Sequence, residues 1–280
     1  MEFEFGHSSK AEAFFEEHPG FWVPFEGLLS ISNKCFGRKC HYQNQAEKVM
    51  FSLGQTCRED YLEIVFMAAH GFNVATTKLI RGLYERAVTH AHIVKSPERV
   101  MSFIRFGAIQ EYRLMNNAIE AGVEKKDFDA RMPLENTIDK ITERRNQVKD
   151  EFKVIECEQC GLEAPLSWDK LSIGAMARKL DDARYKALYL GSYAMPNLHI
   201  HATYMSAVYL ENLGPQDKAT AQKLEAYANV GNASAIMLLV LNEQNKMFNL
   251  GLDRELETAE KAIVEEWFSR KKPEQNDGDR

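Results

Sequence analysis

Apolar side chains recur every three or four residues along most of this 280-residue chain, a spacing that gathers them on one face of an α-helix. The interruptions are typical of helix ends: Ser96 and Pro97 suit a start, and Gly214 with Pro215 suits a stop. Few stretches resemble β-strands. The pattern therefore predicts an all-α fold, a multi-helix bundle of long antiparallel helices. The predicted helices cover residues 43–70, 72–94, 98–121, 134–152, 171–180, 183–193, 197–212, 217–248 and 253–269.

The same pattern predicts three regions. Residues 1–42 form an N-terminal extension, and a polar, cysteine-bearing loop covers residues 32–44. Residues 43–270 form the helical bundle domain, whose two halves are joined by a loop at residues 156–168. Residues 271–280 are polar and lack apolar side chains, so we expect a disordered tail.

Composition narrows the class of protein. A hydrophobic content of 45% is enough for a sizeable core, and the formal net charge of −6 argues against a surface that coats nucleic acid all over. The longest dense apolar run, residues 235–241, is about a third of a membrane span, and the acidic N-terminus shows no secretory signal. Five cysteines, an odd number, suit a reducing compartment. We expect a cytoplasmic protein with no membrane partner.

Two pairs of cysteines raise the question of a metal. Cys157 and Cys160 have the spacing with which two thiolates reach one tetrahedral zinc ion. Cys35 and Cys40, from the first loop, could complete the four ligands of a structural zinc. The alternative is that all four are reduced cysteines in loops, and in that case no cofactor is required.

The helix predicted at residues 72–94 carries an unusual number of charges around its apolar face. The residues expected to face the core are Phe72, Ala75, Leu79, Leu83 and Ala87. Arg86 and His90, four residues apart, continue the edge of this face. Arg81, Glu85 and His92 form a second stripe, on which Arg81 and Glu85 can pair.

Two interpretations of these charges stay open. They could form an internal ion-pair network that only holds helices together, because an unpaired buried charge is very costly. They could instead line a polar pocket in which an arginine binds a phosphate and a histidine or glutamate moves protons. Both interpretations predict an internal pair between Arg81 and Glu85.

The stretch NLHIHATYM is expected to begin another helix. Pro196 disfavours α geometry at the residue before it and suits the first turn of a helix. On a helix His199 and His201 lie about 200° apart, so they are not expected to bind one metal ion together. His201 falls on the apolar stripe, and Asn197 lies one turn before it. Asn197 would also be near the helix N-terminus, where backbone N–H groups could help to hold an anion.

Two further surfaces could serve binding. Arg144, Arg145 and Lys149 form a basic stretch that could guide a phosphate backbone, or could simply be a solvated helix face. Residues 233–248 are densely apolar at helical spacing, which would suit a dimer or a surface that docks a protein partner.

Several of these residues carry a resemblance to a known family. LIRGLYERA, followed far downstream by SWDKLSIGAMARKL and RYKALYLGSYAMPNLHIHAT, resembles an all-helical microbial family known only as a domain of unknown function. The resemblance covers roughly residues 61–208 and implies a helical fold without an assigned activity. The residues that carry it are Arg81, Glu85, Trp168, Tyr185, Tyr189, His201 and Thr203.

A looser likeness is to the HEPN superfamily of helical bundles, which includes RNA-cutting toxins and antiphage effectors. Its signature is an arginine followed four to six residues later by a histidine, often with an asparagine directly after the arginine, as in R-N-x-x-x-H. Asn197 and His201 match part of that signature, but Pro196 stands where the arginine should be. Arg86 and His92 satisfy the bare spacing elsewhere in the chain. The likeness implies a metal-independent ribonuclease, in which the arginine stabilises the phosphate and the histidine moves a proton.

The sequence therefore leaves three hypotheses. The first is an RNA- or nucleotide-directed protein, in the HEPN manner a ribonuclease with a toxin or antiphage role. The second is a non-catalytic interaction or dimerisation module, and the third is a zinc-stabilised helical protein. The candidate catalytic residues are Arg86, His92, Asn197 and His201. The candidate binding residues are Arg81, Glu85, Arg144, Arg145 and Lys149.

Overall fold

The computed structural model describes residues 8–133, 136–152, 167–200 and 214–269. Most of these described residues are helical and none forms a β-strand, so the predicted all-α class is confirmed. The α-helices are α1 (Ser8–Glu17), α2 (Trp22–Phe36), α3 (Gln45–Ala69), α4 (Asn73–Lys95), α5 (Val100–Glu120), α6 (Lys125–Arg131), α7 (Ile138–Val148), α8 (Ile173–Lys179), α9 (Ala183–Tyr189), α10 (Met195–Ile200), α11 (Pro215–Phe248) and α12 (Asp253–Ile263). Two π-helical turns follow α9 and α12, at Leu190–Ala194 and Val264–Phe268.

The chain divides into two compact units, which we describe separately. The first comprises Met1–Lys95 and Ala177–Arg280, and the second is Ser96–Met176. In the second unit, α5 packs against α7, and the rings of Phe106 and Phe152 meet edge to face at 5.2 Å. Most of the candidate functional residues lie in the first unit.

The core of the first unit is formed by α3, α4 and α11, which pack against one another along their lengths. Residues 236–241, at the centre of the apolar run of α11, are each at most 3% exposed. The run is apolar all round because neighbours cover every side of the helix, so it is intramolecular core and not the docking surface that we predicted. Lys223–Phe248 is the one described stretch long and apolar enough to span a membrane, and it is mostly buried within the unit.

The buried face of α4 differs from the predicted one in its first turns. Leu83 and Ala87 are fully buried as expected, but Phe72 precedes the helix and is 43% exposed. The buried residues of the first two turns are instead polar, including Thr76 and Thr77. Polar side chains can lie here because α11 supplies them with hydrogen-bond partners, which the sequence pattern of α4 alone does not reveal.

The N-terminal residues contribute two helices to the first unit, α1 and α2, and neither is among the predicted helices. α2 runs through Phe36, so the loop predicted to begin at residue 32 begins only at Gly37. Pro24 lies in the first turn of α2, where the missing N–H has no helical acceptor to lose. Leu28 and Ile31 are buried on the face of α2 that packs against α11 and α12.

The chain is helical without interruption from α9 to α10, so the prediction that a helix begins at Pro196 is wrong. Met195 keeps ordinary right-handed helical angles, with φ −64° and ψ −44°. The N–H of Met195 donates to the carbonyl of Leu190, an i to i−5 bond of a π-helical turn. We infer that the wider turn absorbs the proline, which lacks an N–H and would clash within a regular α-helix. Asn197 therefore does not lie at a free helix N-terminus.

Candidate functional site

Arg81 stands on the partly exposed side of α4, above an aromatic ring. Its guanidinium carbon lies 5.0 Å from the centroid of the Tyr193 ring, within the range of a cation–π interaction. Its Nη2 lies 3.8 Å from Oε2 of Glu85. The two side chains are 28% and 44% exposed, so the predicted pair exists but lies near the surface rather than in the interior. The arginine Nε atom is buried and donates to no described residue.

Three tyrosines extend the aromatic surface beside Arg81. The rings of Tyr189 and Tyr193 stack with centroids 5.5 Å apart, because side chains four residues apart lie on the same side of a helix. Tyr84 packs against both rings and donates its hydroxyl to the carbonyl of Tyr185 at 2.5 Å. Burial raises the pKa of Tyr84 well above its ordinary value, and the nearby Tyr189 and Tyr193 add to the effect. The Tyr84 phenol therefore remains neutral near neutral pH.

The α9–α10 segment runs antiparallel to α4. At one end, Nζ of Lys95 donates to the carbonyl of Lys179 at 2.8 Å, and towards the other end Arg81 meets Tyr193. Asn197 is one turn beyond Tyr193 on the same face, so the antiparallel arrangement directs it towards the first turns of α4. Its Oδ1 atom is buried and accepts no hydrogen bond from the described residues.

The first turns of α4 hold a buried polar cluster with α11. The hydroxyl of Thr77 donates to Oε1 of Glu225 at 2.5 Å. Nδ2 of Asn229 donates to the hydroxyls of Thr76 and Thr77, each at 2.9 Å. These bonds fix the Glu225 carboxylate against α4 at a half-buried position.

The features of α4, α9–α10 and α11 together form what we call the polar seam. It consists of Thr77, Arg81, Glu85, Tyr189, Tyr193, Asn197, Glu225 and Asn229. The seam offers a cation beside stacked aromatic rings, two carboxylates and two side-chain amides. A cation and aromatic faces together suit an anionic ligand that carries a planar ring, while the carboxylates and amides can bind hydroxyl groups.

Arg86, a predicted catalytic residue, is held by a carboxylate on α3. Its Nε and Nη2 donate to the two carboxylate oxygens of Asp60, each at 2.6 Å. The hydrogen bonds from Arg86 to Asp60 raise the pKa of the arginine, and burial raises that of the neighbouring Cys57 thiol. This bidentate pair matches the interpretation that some of the charges on α4 hold helices together.

The two histidines of α4 are both buried: His90 is fully buried and His92 is 4% exposed. Nε2 of Gln244 lies 2.7 Å from Nε2 of His90 and donates to the carbonyl of Met50 at 2.8 Å. Because the amide nitrogen is the donor, Nε2 of His90 accepts, which assigns its proton to Nδ1. Burial lowers the pKa of His90 to about 3, so it is a neutral core residue.

The predicted basic stretch of α7 is engaged within the second unit. Nη2 of Arg144 donates to Oε2 of Glu111 at 2.8 Å. The guanidinium of Arg145 lies 4.9 Å from the centroid of the Tyr112 ring. Lys149 begins a 3₁₀ turn after α7. The two arginines therefore have partners on α5, which favours a structural role for them.

The predicted zinc ligands are only partly described. Cys35 is buried at the end of α2, where burial raises the pKa of its thiol to about 11, and Cys40 lies in the following loop. Cys157 and Cys160 lie outside the described residues, as does His201. Among the residues that the structure describes, no three side chains of His, Cys, Asp or Glu form a group that could hold a metal ion. The zinc site stays a prediction.

The seam also contains residues that sequence reasoning missed. Tyr193 could have been found, because it follows Tyr189 by four residues in a tyrosine-rich helix. Glu225 carries no such signal, since 148 residues separate it from its partner Thr77. Likewise, nothing in the sequence pairs Arg86 with Asp60, which lies 26 residues earlier on another helix.

Comparison with known proteins gives one family. A model described as a family of unknown function (DUF5677) matches residues 47–219, well over half of the chain. No curated protein and no solved structure matches the chain significantly. The match includes α4 and α9–α10 and the first residues of α11, and so contains Arg81, Glu85 and Asn197 of the seam. The likeness to the HEPN superfamily stays a prediction.

Proposed function

The chain belongs to the family of unknown function DUF5677, and on that premise we propose that its polar seam binds RNA or a nucleotide. In this proposal Arg81 contacts a phosphate, and the tyrosine rings stack against a base. The observation that carries the proposal is the position of the Arg81 guanidinium, 5.0 Å from the Tyr193 ring.

Three features of the seam support a nucleotide-like ligand. Glu85 lies 3.8 Å from Arg81 and is 44% exposed, so it is a weak competitor for a phosphate. The Tyr189 and Tyr193 rings lie next to each other, and unpaired bases bind proteins by stacking on the faces of aromatic side chains. Asn197 and Glu225 provide polar atoms for a ribose hydroxyl or a base edge.

The net charge of −6 is compatible with this local site. A protein that covers nucleic acid through its whole surface needs many cations, whereas a single-nucleotide or loop site needs one or two. We therefore expect binding to unpaired RNA or free nucleotides, with a shallow dependence on salt because few phosphates are neutralised.

Binding to a short fluorescein-labelled single-stranded RNA, measured by fluorescence anisotropy, tests the proposal. Arg81→Ala is expected to weaken binding about tenfold or more, the loss of one charge-assisted contact. Tyr193→Leu should weaken it comparably by removing the stacking face, while Tyr193→Phe retains most of the affinity. Free nucleotides that compete with the RNA would show which part of it is recognised.

The matched control is Arg254→Ala, which removes an exposed arginine from α12. It should bind as the unmodified protein does. Equal binding by Arg81→Ala and the unmodified protein, with both folded by circular dichroism, would contradict the proposal.

Cleavage is a separate question that the same RNA can answer. If the seam supports metal-independent hydrolysis with His201 as the proton carrier, the protein cuts RNA in EDTA and His201→Ala does not. His41→Ala, which changes an exposed histidine outside the seam, serves as the control. RNA that is bound but stays intact would restrict the function to binding, and a toxin or antiphage role would lose its basis.

A further inference from the structure

We propose a second ligand site in the first unit, a pocket between α1, the α3–α4 turn and α11 that binds a small carboxylate with an apolar body. The pocket has a volume of about 200 Å³ and is half open to solvent. It does not include Arg81 or either of the stacked tyrosines, so the proposal stands independently of the RNA site.

Apolar side chains, most of them small, form part of the walls of this pocket, and the polar side chains of Glu17, His18 and Asn73 also line it. Its apolar lining consists of Ala13, Phe14, Ala68, Ala69 and Ala226. Four alanines from three helices leave a space where larger side chains would close the packing. Such a surface favours the methylene groups of a ligand over water, because an apolar wall gives water few hydrogen-bond partners.

The mouth of the pocket carries two lysines, from α1 and α11. Nζ of Lys223 lies 2.5 Å from Oε1 of Glu17, so this lysine already has a carboxylate partner. Lys10 forms no ion pair with any residue that the structure describes. Its ammonium group is therefore the cation available to an incoming anion.

Gly71 in the α3–α4 turn makes room for the Lys10 side chain. A Cβ atom at position 71 would lie 2.6 Å from Cδ and 3.1 Å from Nζ of Lys10, and the φ of +80° also favours glycine. The aliphatic part of Lys10 thus passes directly over the turn and brings its ammonium group to the mouth. Phe72 and Val74, beside this turn, are exposed and extend the apolar surface outwards.

The size and polarity of the pocket define the ligand class. Since one water takes up roughly 30 Å³, a space of about 200 Å³ holds roughly six or seven heavy atoms. An apolar floor with an ammonium group at the mouth selects a short aliphatic chain that ends in a carboxylate. Hexanoate is a suitable probe of this class, because its six carbon atoms fit the space while its two carboxylate oxygens lie at the mouth beside Lys10.

Isothermal titration calorimetry with hexanoate tests the site. We expect hexanoate to bind, while acetate lacks the apolar body and hexylamine carries the wrong charge, so both fail to bind. Lys10→Gln should weaken hexanoate binding about fivefold, the loss of one partly exposed ion pair. Ala13→Leu, at an exposed position that lines the pocket, should weaken it further by filling the space.

Two matched variants control for general effects. Lys48→Gln and Ala228→Leu make the same changes at exposed positions away from the pocket, and should leave hexanoate binding unchanged. The proposal is overturned if hexanoate does not bind, if hexylamine binds equally well, or if the pocket variants bind hexanoate as the controls do. Because Arg81→Ala should not alter hexanoate binding, failure here is distinguishable from failure at the RNA site.

Discussion

At the scale of single residues, α4 uses charged and polar side chains in two different ways. Arg86 and His90 face partners inside the first unit, a carboxylate and a side-chain amide. Arg81, one turn before Glu85, faces outwards over Tyr193. Exposure does not separate the two arginines, since the side chain of Arg86 is 37% exposed and that of Arg81 is 28% exposed. The difference is that Arg86 faces the Asp60 carboxylate, which is only 10% exposed and therefore needs a partner inside the protein. Of these two arginines, Arg81 is therefore the one suited to recognise a phosphate.

The buried His90 predicts a specific dependence of stability on pH. Its folded-state pKa is about 3, below the ordinary value of 6.5, so between these values the unfolded chain binds a proton that the folded chain does not. The contribution of the neutral His90 side chain to the free energy of unfolding is fully present above about pH 6.5, and it is lost as the pH falls towards 3. Within this range, each unit by which the pH falls should lower the free energy of unfolding by about 1.4 kcal/mol because of this residue alone.

Urea unfolding at several pH values measures this slope. His90→Gln, which cannot take up a proton, should lose this part of the slope, whereas His41→Gln, at an exposed position, should keep it. Taking the difference between variants cancels the titration of carboxylates. An imidazole signal of His90 that titrates near pH 6.5 in the folded protein would refute the assignment.

At the scale of elements, the packing of α2, α3 and α11 depends on a close approach at Gly54. A Cβ atom there would lie 2.7 Å from Nε2 of Gln244 and 2.8 Å from the ring of Phe36. Gln244 also lies within hydrogen-bonding distance of His90, so the position of one small residue supports both the helix packing and the buried histidine. The sequence shows Gly54 only as a weak point within a helix.

Gly54→Ala should therefore destabilise the protein despite the higher helix propensity of alanine. We expect a loss of about 1–3 kcal/mol, the usual cost of overpacking a core, measured by urea unfolding. Gly107→Ala is the matched control, since a Cβ at that position in α5 meets nothing within 4 Å. That variant should be stabilised by about 0.5–1 kcal/mol. Similar effects at both positions would show that the contact at Gly54 is unimportant.

At the scale of the whole molecule, the N-terminal helices belong to the structure of the first unit. α2 covers the side of α11 that faces α12, and it buries Leu28, Ile31 and Cys35. α1 packs on α3 and supplies one wall of the proposed carboxylate pocket. The region predicted as an extension thus covers apolar surface of the helical core.

A chain that begins at Gln43 should consequently be much less stable than the full chain. Removal of α2 exposes apolar surface of α11 and α12, so we expect a lower melting temperature by circular dichroism and increased binding of a hydrophobic dye. Removal of residues 271–280, the predicted tail, is the control and should change neither measurement. A stable, dye-free protein beginning at Gln43 would show that α2 is dispensable.

Much of the fold was predictable because helical periodicity is a local property. The positions of α3, α4, α5, α11 and α12 follow from apolar spacing together with glycine, proline and capping residues. The predicted helices begin at residue 43, so α1 and α2 were not among them, and the continuity of the helix through Pro196 was not predicted either. Whether a proline ends a helix depends on whether the neighbouring turn can widen, and that is not a property of the proline alone.

For the site, the sequence by itself determined which residues could act, and the tertiary structure decided which are free to do so. Arg81, Glu85 and Arg86 were all candidates from their spacing on one helix. Only the packing of α3 showed that Asp60 holds Arg86, and only the α9–α10 segment placed Tyr193 beside Arg81. The physical reason is that charge and periodicity are encoded locally, whereas pairing partners come from helices distant in sequence.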